Sequence, residues 1–227
     1  MASFVLIPGG WHGGWMYAAL SARLQQAGHD AYAVTLSGLE QTPARAAHAV
    51  NLDTHIADVI DLLTIEDLSE VILCAHSYGG MVATGVADRV PERLAALIYL
   101  DAFAPENGQS WWDLAGDAYR RFVIERAGHD GLTALPREGS DPRRRPHPLG
   151  TFIQALKLHS PAPAALQRTF VYASGWSATP FTAQYERLRN DPAWRVHAFA
   201  CGHDVVQHAP DETFDLLIET AREVAAT

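Results

Sequence analysis

Residues 71–80 read VILCAHSYGG, and they confine the chain to a narrow set of folds. Val71-Ile72-Leu73-Cys74 is a short apolar run of the kind that forms a strand buried on both faces. It stops at Ala75. Ser77 stands next between His76 and Tyr78, and Gly79-Gly80 leads into Met81-Val82-Ala83, where a helical pattern begins. The reading is a strand, a sharp turn and a helix, with a hydroxyl at the apex. It matches the nucleophile elbow G-x-S-x-G, with Ala75 in place of the first glycine. Such a turn holds its serine in a strained conformation, so the neighbouring side chains must be small. A purely structural turn could carry the same residues. The rest of the chain decides between the two readings.

Strand-like and helical patterns alternate along the 227 residues. Strands are expected at 4–7, 31–35, 71–74, 94–100, 169–173 and 194–199. Helices are expected at 15–27, 51–63, 181–190 and 210–225, with Ile56, Val59, Ile60 and Leu63 at helical spacing in the second. This alternation predicts one α/β domain, 1–227, with a mostly parallel sheet of about six strands and helices on both faces. Functional groups then gather at the carboxyl ends of the strands. Residues 102–167 break the alternation and read as a small helical cap. Within it, 111–126 reads as a helix, 128–149 as a loop and 151–158 as a short helix.

A net charge of −9 argues against nucleic acid or an anionic membrane as a partner. The basic run Arg143-Arg144-Arg145 sits among prolines and reads as a solvated loop. Two cysteines suggest neither a disulfide framework nor a metal site. The first ten residues lack the basic stretch and the apolar length of a signal peptide, and no segment is long enough to span a membrane. The expectation is a cytoplasmic protein without cofactor or metal, and a homodimer stays open.

A serine needs a base to take its proton, and an acid to orient that base. Of the eleven histidines, His203 is placed best, in the loop between the last strand and the final helix. His76 sits on the elbow itself. His29, His48, His129, His147, His159 and His197 fall in loops or surface-like patterns. Negative charge developing on a carbonyl oxygen needs N–H donors. One is expected from Tyr78, after the serine, and one from Gly10 in the glycine-rich loop after the first strand. That loop fits neither G-x-G-x-x-G nor the phosphate-binding loop pattern.

With PGGWHGGW at 8–15, AHSYGGM at 75–81, LIYLDAFAPENGQS at 97–110 and CGHDVVQHAP at 201–210, the chain resembles the α/β-hydrolase superfamily. It is most similar to the branch of plant methyl esterases, hydroxynitrile lyases and bacterial carboxylesterases. The resemblance covers essentially the whole chain. It implies a Ser–His–acid triad, a small-molecule ester substrate, no cofactor and a helical cap. The chain departs from the family at the acid. The family carries Asp in the loop after the strand corresponding to 169–173, where residues 174–180 offer no carboxylate and Trp176 takes its place. Asp101, at the end of the neighbouring strand, is the substitute expected, and a Ser–His dyad is the alternative.

Three functions follow. A carboxylesterase would use Ser77, His203 and Asp101, with Trp11, Trp111, Trp112 and Phe152 forming an apolar substrate pocket. A hydroxynitrile lyase is disfavoured, because the lyases carry lysine and threonine where this chain has Asp204 and Gly10. A carboxylate beside the base would repel cyanide. A non-catalytic binder on the same scaffold would not need an intact Ser77, His203 and glycine loop.

Overall fold

A computed structural model describes residues 1–159, 166–177 and 179–226. Residues 160–165 of the expected cap, Ala178 of the loop after 169–173 and the last residue, Thr227, lie outside the described residues. The apolar runs become the strands of one parallel sheet: β1 (Ser3–Ile7), β2 (Asp30–Ala33), β3 (Val71–His76), β4 (Leu94–Leu100), β7 (Gln167–Ala173) and β8 (Trp194–Phe199). Their order is β2-β1-β3-β4-β7-β8. Two further strands, β5 (Thr133–Ala134) and β6 (His147–Pro148), form a separate antiparallel pair.

Side chains alternate across each strand, so each strand feeds two cores. On β1, Val5 and Ile7 pack into one core with Ile56 and Val59 of α2 (Leu52–Ile65) and Val82 and Val86 of α3 (Gly79–Arg89). Phe4 and Leu6 pack into the other, with Leu20 and Leu24 of α1 (Ala18–Gln26) and Leu216 and Leu217 of α9 (Pro210–Val224). Burial on both faces explains why the central strands read as continuous apolar runs. Among the described residues, no helix is long and apolar enough to cross a membrane.

The segment after β4 differs in detail from the sequence expectation. The single helix expected at 111–126 is two, α4 (Trp111–Leu114) and α5 (Gly116–Glu125). Gly116, at φ +74°, breaks them with a left-handed backbone. The loop expected at 128–149 contains the β5–β6 pair. The helix expected at 151–158 is one turn, α6 (Gly150–Ile153). The helix expected at 181–190 is α7 (Thr182–Leu188), and α8 (Val205–His208) precedes α9. These pieces are too short to leave a periodic signal.

Two glycines of the turn after β3 are required by close contacts. A Cβ on Gly80 would lie 2.0 Å from the Phe103 carbonyl oxygen, and one on Gly79 would lie 2.8 Å from the Ile7 carbonyl oxygen. Helix α3 therefore starts against backbone on two sides, with no room for a methyl group.

Candidate active site

The sheet order assembles the site. The chain runs from β1 outward to β2, then returns to lay β3 on the other side of β1. The crevice at that reversal collects the loops that follow β1 and β3. Ile7 pairs with Ala75, so the Pro8–Gly14 loop meets the Ser77 turn. His76 pairs with Leu100, which sets Asp101 beside that turn. Leu100 pairs with Val171, and Ala173 with Phe199, which brings the loop after β7 and the His203 loop to the same edge.

Ser77 adopts φ +53°, the left-handed backbone of a residue held at the apex of a tight turn. Its Oγ lies 3.0 Å from His203 Nε2. His203 Nδ1 lies 2.7 Å from Asp101 Oδ2. Asp101 is fully buried and the His203 ring is about one-third exposed. The carboxylate also accepts the Ala173 N–H on Oδ1 at 3.0 Å and the Trp176 indole N–H on Oδ2 at 3.1 Å. Asp101 is thus an acceptor to three N–H donors, which places the His203 proton on Nδ1. Nε2 is left with a lone pair toward the serine hydroxyl. Trp176, standing where relatives of this branch are expected to carry an acid, supplies a donor to the acid on the adjacent strand. Its ring also packs 4.7 Å from that of His203.

The Gly10 and Tyr78 N–H groups make no hydrogen bond to another described residue, and both residues line the cavity beside Ser77. Two buried histidines, neither assigned a place in the site from sequence, brace these positions. His147 Nδ1 accepts the Trp11 N–H at 3.1 Å, while its Nε2–H donates to Thr151 Oγ at 2.8 Å. His55 Nε2–H donates to the Ser37 carbonyl, and its Nδ1 accepts the Tyr78 hydroxyl, both at 2.9 Å. His147 therefore fixes the residue after Gly10, and His55 fixes the side chain of the residue after Ser77. His147 is a correction: it read as surface-like, but the β5–β6 pair folds it inward and it is fully buried. His55 left no signal because it shares the buried face of α2 with Ile56, Val59 and Leu63.

A cavity of about 450 Å³ opens above Ser77. Trp11, Trp111 and Phe152 line it. Trp112 does not: it is partly buried and packed against the core, and its carbonyl accepts the Arg120 Nε–H. Adjacent positions on a helical turn face different directions, so only one of the two tryptophans can point inward. Phe103, Phe122 and Phe181 complete the aromatic wall. The arginine run is corrected at one position. Arg143 is exposed in a loop, over Trp15 and paired with Asp141, but Arg144 lines the cavity. Among the described residues no group of side chains could hold a metal ion.

Burial holds several of these imidazoles neutral. His55 is pushed down to about 4 by desolvation, and His147 lies well below the usual histidine value for the same reason. His12 is lowered to about 4 by desolvation, with the nearby Arg144 charge adding to it. The unfolded chain takes up protons at these histidines near pH 6.5, whereas in the folded chain His55 and His12 do not until about pH 4. Their contribution to stability is therefore fully present above about pH 6.5 and drains away as pH falls toward 4. Urea midpoints measured between pH 7 and 4.5 should fall steadily. The fall should be smaller in His55→Gln, and an unchanged slope in that variant would exclude His55 as a contributor.

Comparison with known proteins bears on the family and the fold. The model of the alpha/beta hydrolase family matches residues 4–216. A carbendazim-hydrolyzing esterase from Nocardioides sp. (strain SG-4G) is 37% identical over 240 residues, covering 96% of this chain and 98% of its own. An alpha-hydroxynitrile lyase of Arabidopsis thaliana is 35% identical over 107 residues, covering 46% of this chain and 41% of its own. Among solved structures, an extracellular alpha/beta-hydrolase from Paenibacillus superimposes with a TM-score of 0.79 at 22% identity. That match covers 97% of this chain and 99% of the other.

Proposed function

The chain belongs to the alpha/beta hydrolase family and is an enzyme of carboxylesterase type, and from that premise we propose a serine esterase that works through an acyl-enzyme. The observation that carries the reading is the line of contacts from Asp101 through His203 to Ser77, at 2.7 and 3.0 Å, opening on the cavity.

Ser77 Oγ attacks the ester carbonyl while His203 Nε2 takes the hydroxyl proton. The oxyanion is held by the Gly10 and Tyr78 N–H groups, both of residues that line the cavity and neither engaged by another described residue. The tetrahedral intermediate collapses, the C–O bond to the alcohol breaks, and His203 returns the proton to the leaving alkoxide. Water then attacks the acyl-Ser77 ester with His203 again as base, releasing the acid and restoring the serine. Asp101 keeps the imidazole in the tautomer with Nδ1–H and stabilises the imidazolium formed at each proton transfer. The aromatic wall of Trp11, Trp111 and Phe152 favours a small, largely apolar substrate. Carbendazim, which the Nocardioides relative is named for hydrolysing, belongs in the first panel of compounds tried. Asp204, next to the base, disfavours cyanide chemistry by like charge.

Treatment with a fluorophosphonate tests the reading. The intact mass should rise by one adduct, peptide mapping should place it on Ser77, and Ser77→Ala should stay unlabelled. Label on another residue, or none together with no turnover of short esters, would remove the proposal.

A further inference from the structure

The cap sets two cations on the cavity wall and leaves both without a counter-ion. Arg137 and Arg144 line the cavity above Ser77. The Arg137 guanidinium stands 5.6 Å over the Phe122 ring, which itself meets Trp11 edge-on at 5.7 Å. Arg144 is half-buried, and its segment is tied to the loop after β1, where the Arg145 N–H donates to the Trp11 carbonyl at 3.0 Å. Neither guanidinium makes a hydrogen bond or an ion pair with another described residue. Arg144 Nε is buried, while its two terminal nitrogens keep accessible surface. The Arg144 charge acts on His12, His76 and Asp204, which line the same cavity. The neighbouring acids are already engaged. Asp141 accepts the N–H, Nε–H and Nη2–H of Arg143, and Glu138 pairs with Arg126 at 2.7 Å. Among the described lining residues Asp204 is the one carboxylate, so two cations stand against one anion on a chain of net charge −9. Burial lowers the Arg144 guanidinium below its ordinary value; Asp204 and Asp141 raise it in part, and the Arg137 charge lowers it again. Two like charges at the edge of an apolar cavity are relieved by an anion that meets both.

We propose that Arg137 and Arg144 form an anion subsite, and that the preferred substrate is an aromatic ester with a free carboxylate remote from the scissile carbonyl, such as a half-ester of an aromatic dicarboxylic acid. This rests on the serine esterase reading and adds one charged end to the apolar body that the aromatic wall accepts. The ring lies along the Trp11 and Phe122 side, the ester reaches Ser77, and the carboxylate accepts from the two guanidiniums, whose planar forks match it. Asp204 faces the same space, so the anion gains only where it stands nearer the arginines than that acid. A rigid ring between ester and carboxylate keeps it there. The reaction is unchanged: the Ser77 Oγ–acyl bond forms, the acyl–alkoxy bond breaks, and the alcohol leaves with the proton from His203. The remote carboxylate takes no part in bond making.

The test compares the monomethyl esters of terephthalic acid and of 1,4-phenylenediacetic acid with the same two esters in which the carboxylate is a primary amide. The amide keeps the shape and removes the charge. Each kcat/KM, taken at low ionic strength, is divided by the compound's own hydroxide rate, and p-nitrophenyl acetate serves as the control for an active serine. At one spacing or both, the wild type should favour the acid over its amide by at least about tenfold, chiefly through KM. The preference should shrink at high salt, because Arg137 is exposed and its charge is screened. Arg137→Gln and Arg144→Gln should each cut the ratio by about fivefold, read as a ratio whatever the overall rate. Arg144→Lys, which keeps the charge, should retain part of it. Two positions are used so that poor folding of one variant leaves the other. Ratios below about threefold at both spacings, or no turnover of either half-ester, in a wild type that cleaves p-nitrophenyl acetate would overturn the subsite and leave the esterase standing. So would ratios unchanged in both glutamine variants. No cleavage of p-nitrophenyl acetate would overturn the esterase reading, and the subsite with it.

Discussion

Ser77→Ala is expected to lower kcat on p-nitrophenyl acetate on the order of 10⁶-fold, the loss seen when a serine hydrolase is stripped of its nucleophile. The side chain removed is one hydroxyl, 3.0 Å from His203 Nε2. Its loss leaves the backbone turn, the Gly10 and Tyr78 donors and the cavity unchanged, so the fold should survive and the urea midpoint should stay near that of the wild type. Water attacking in place of the serine would keep only the residual rate that oxyanion stabilisation and binding provide. Purified variant retaining more than a few per cent of wild-type kcat would show that another group is the nucleophile.

The second large effect is expected at the acid. Asp101→Asn should cost on the order of 10²- to 10⁴-fold in kcat. Asp101 receives three N–H donors, from His203, Ala173 and Trp176. An amide has a single oxygen to offer them. If its NH2 faces His203, the imidazole must turn its lone pair to Nδ1 and its proton to Nε2, where it can no longer accept from Ser77. A structural role alone would alter stability without changing the order of kcat and KM. Circular dichroism and the urea midpoint should therefore be read beside the kinetics, with the loss expected in kcat. Turnover near the wild-type value in a folded Asp101→Asn would exclude the carboxylate from the reaction.

What could be read from the chain and what could not divide along physical lines. The central strands were legible because burial on both faces leaves unbroken apolar runs, as in Val71–Cys74 and Leu94–Leu100. Ser77, His203 and Asp101 were legible as ends of elements: each follows a strand, and parallel pairing brings such ends together. Trp176 was noticed as a substitution for an acid, but its indole donating to Asp101 depends on the register of β4 with β7, which no local pattern encodes. His147 and Arg144 were misread because their stretch of prolines and arginines resembles solvated loop. Two residues of β pairing suffice to bury His147. His55 was hidden by its own amphipathic helix. Trp112 was grouped with Trp111 because composition cannot tell which of two neighbours turns inward.

Trp11, Ser77 and Asp101 share an unusual backbone, with φ values of +66°, +53° and +43°. None is a glycine, and a non-glycine residue held there costs on the order of 1–3 kcal/mol. The three stand at or near the ends of β1, β3 and β4, around one crevice. Glycine at these positions would relax the chain, and two of those replacements would delete the reactive hydroxyl or the carboxylate. Thermostability and turnover therefore pull in opposite directions at the same few residues. A library of variants ranked by melting temperature alone would be enriched in robust, inert proteins, so directed evolution of this scaffold should place its stabilising changes away from the crevice and screen for activity from the first round.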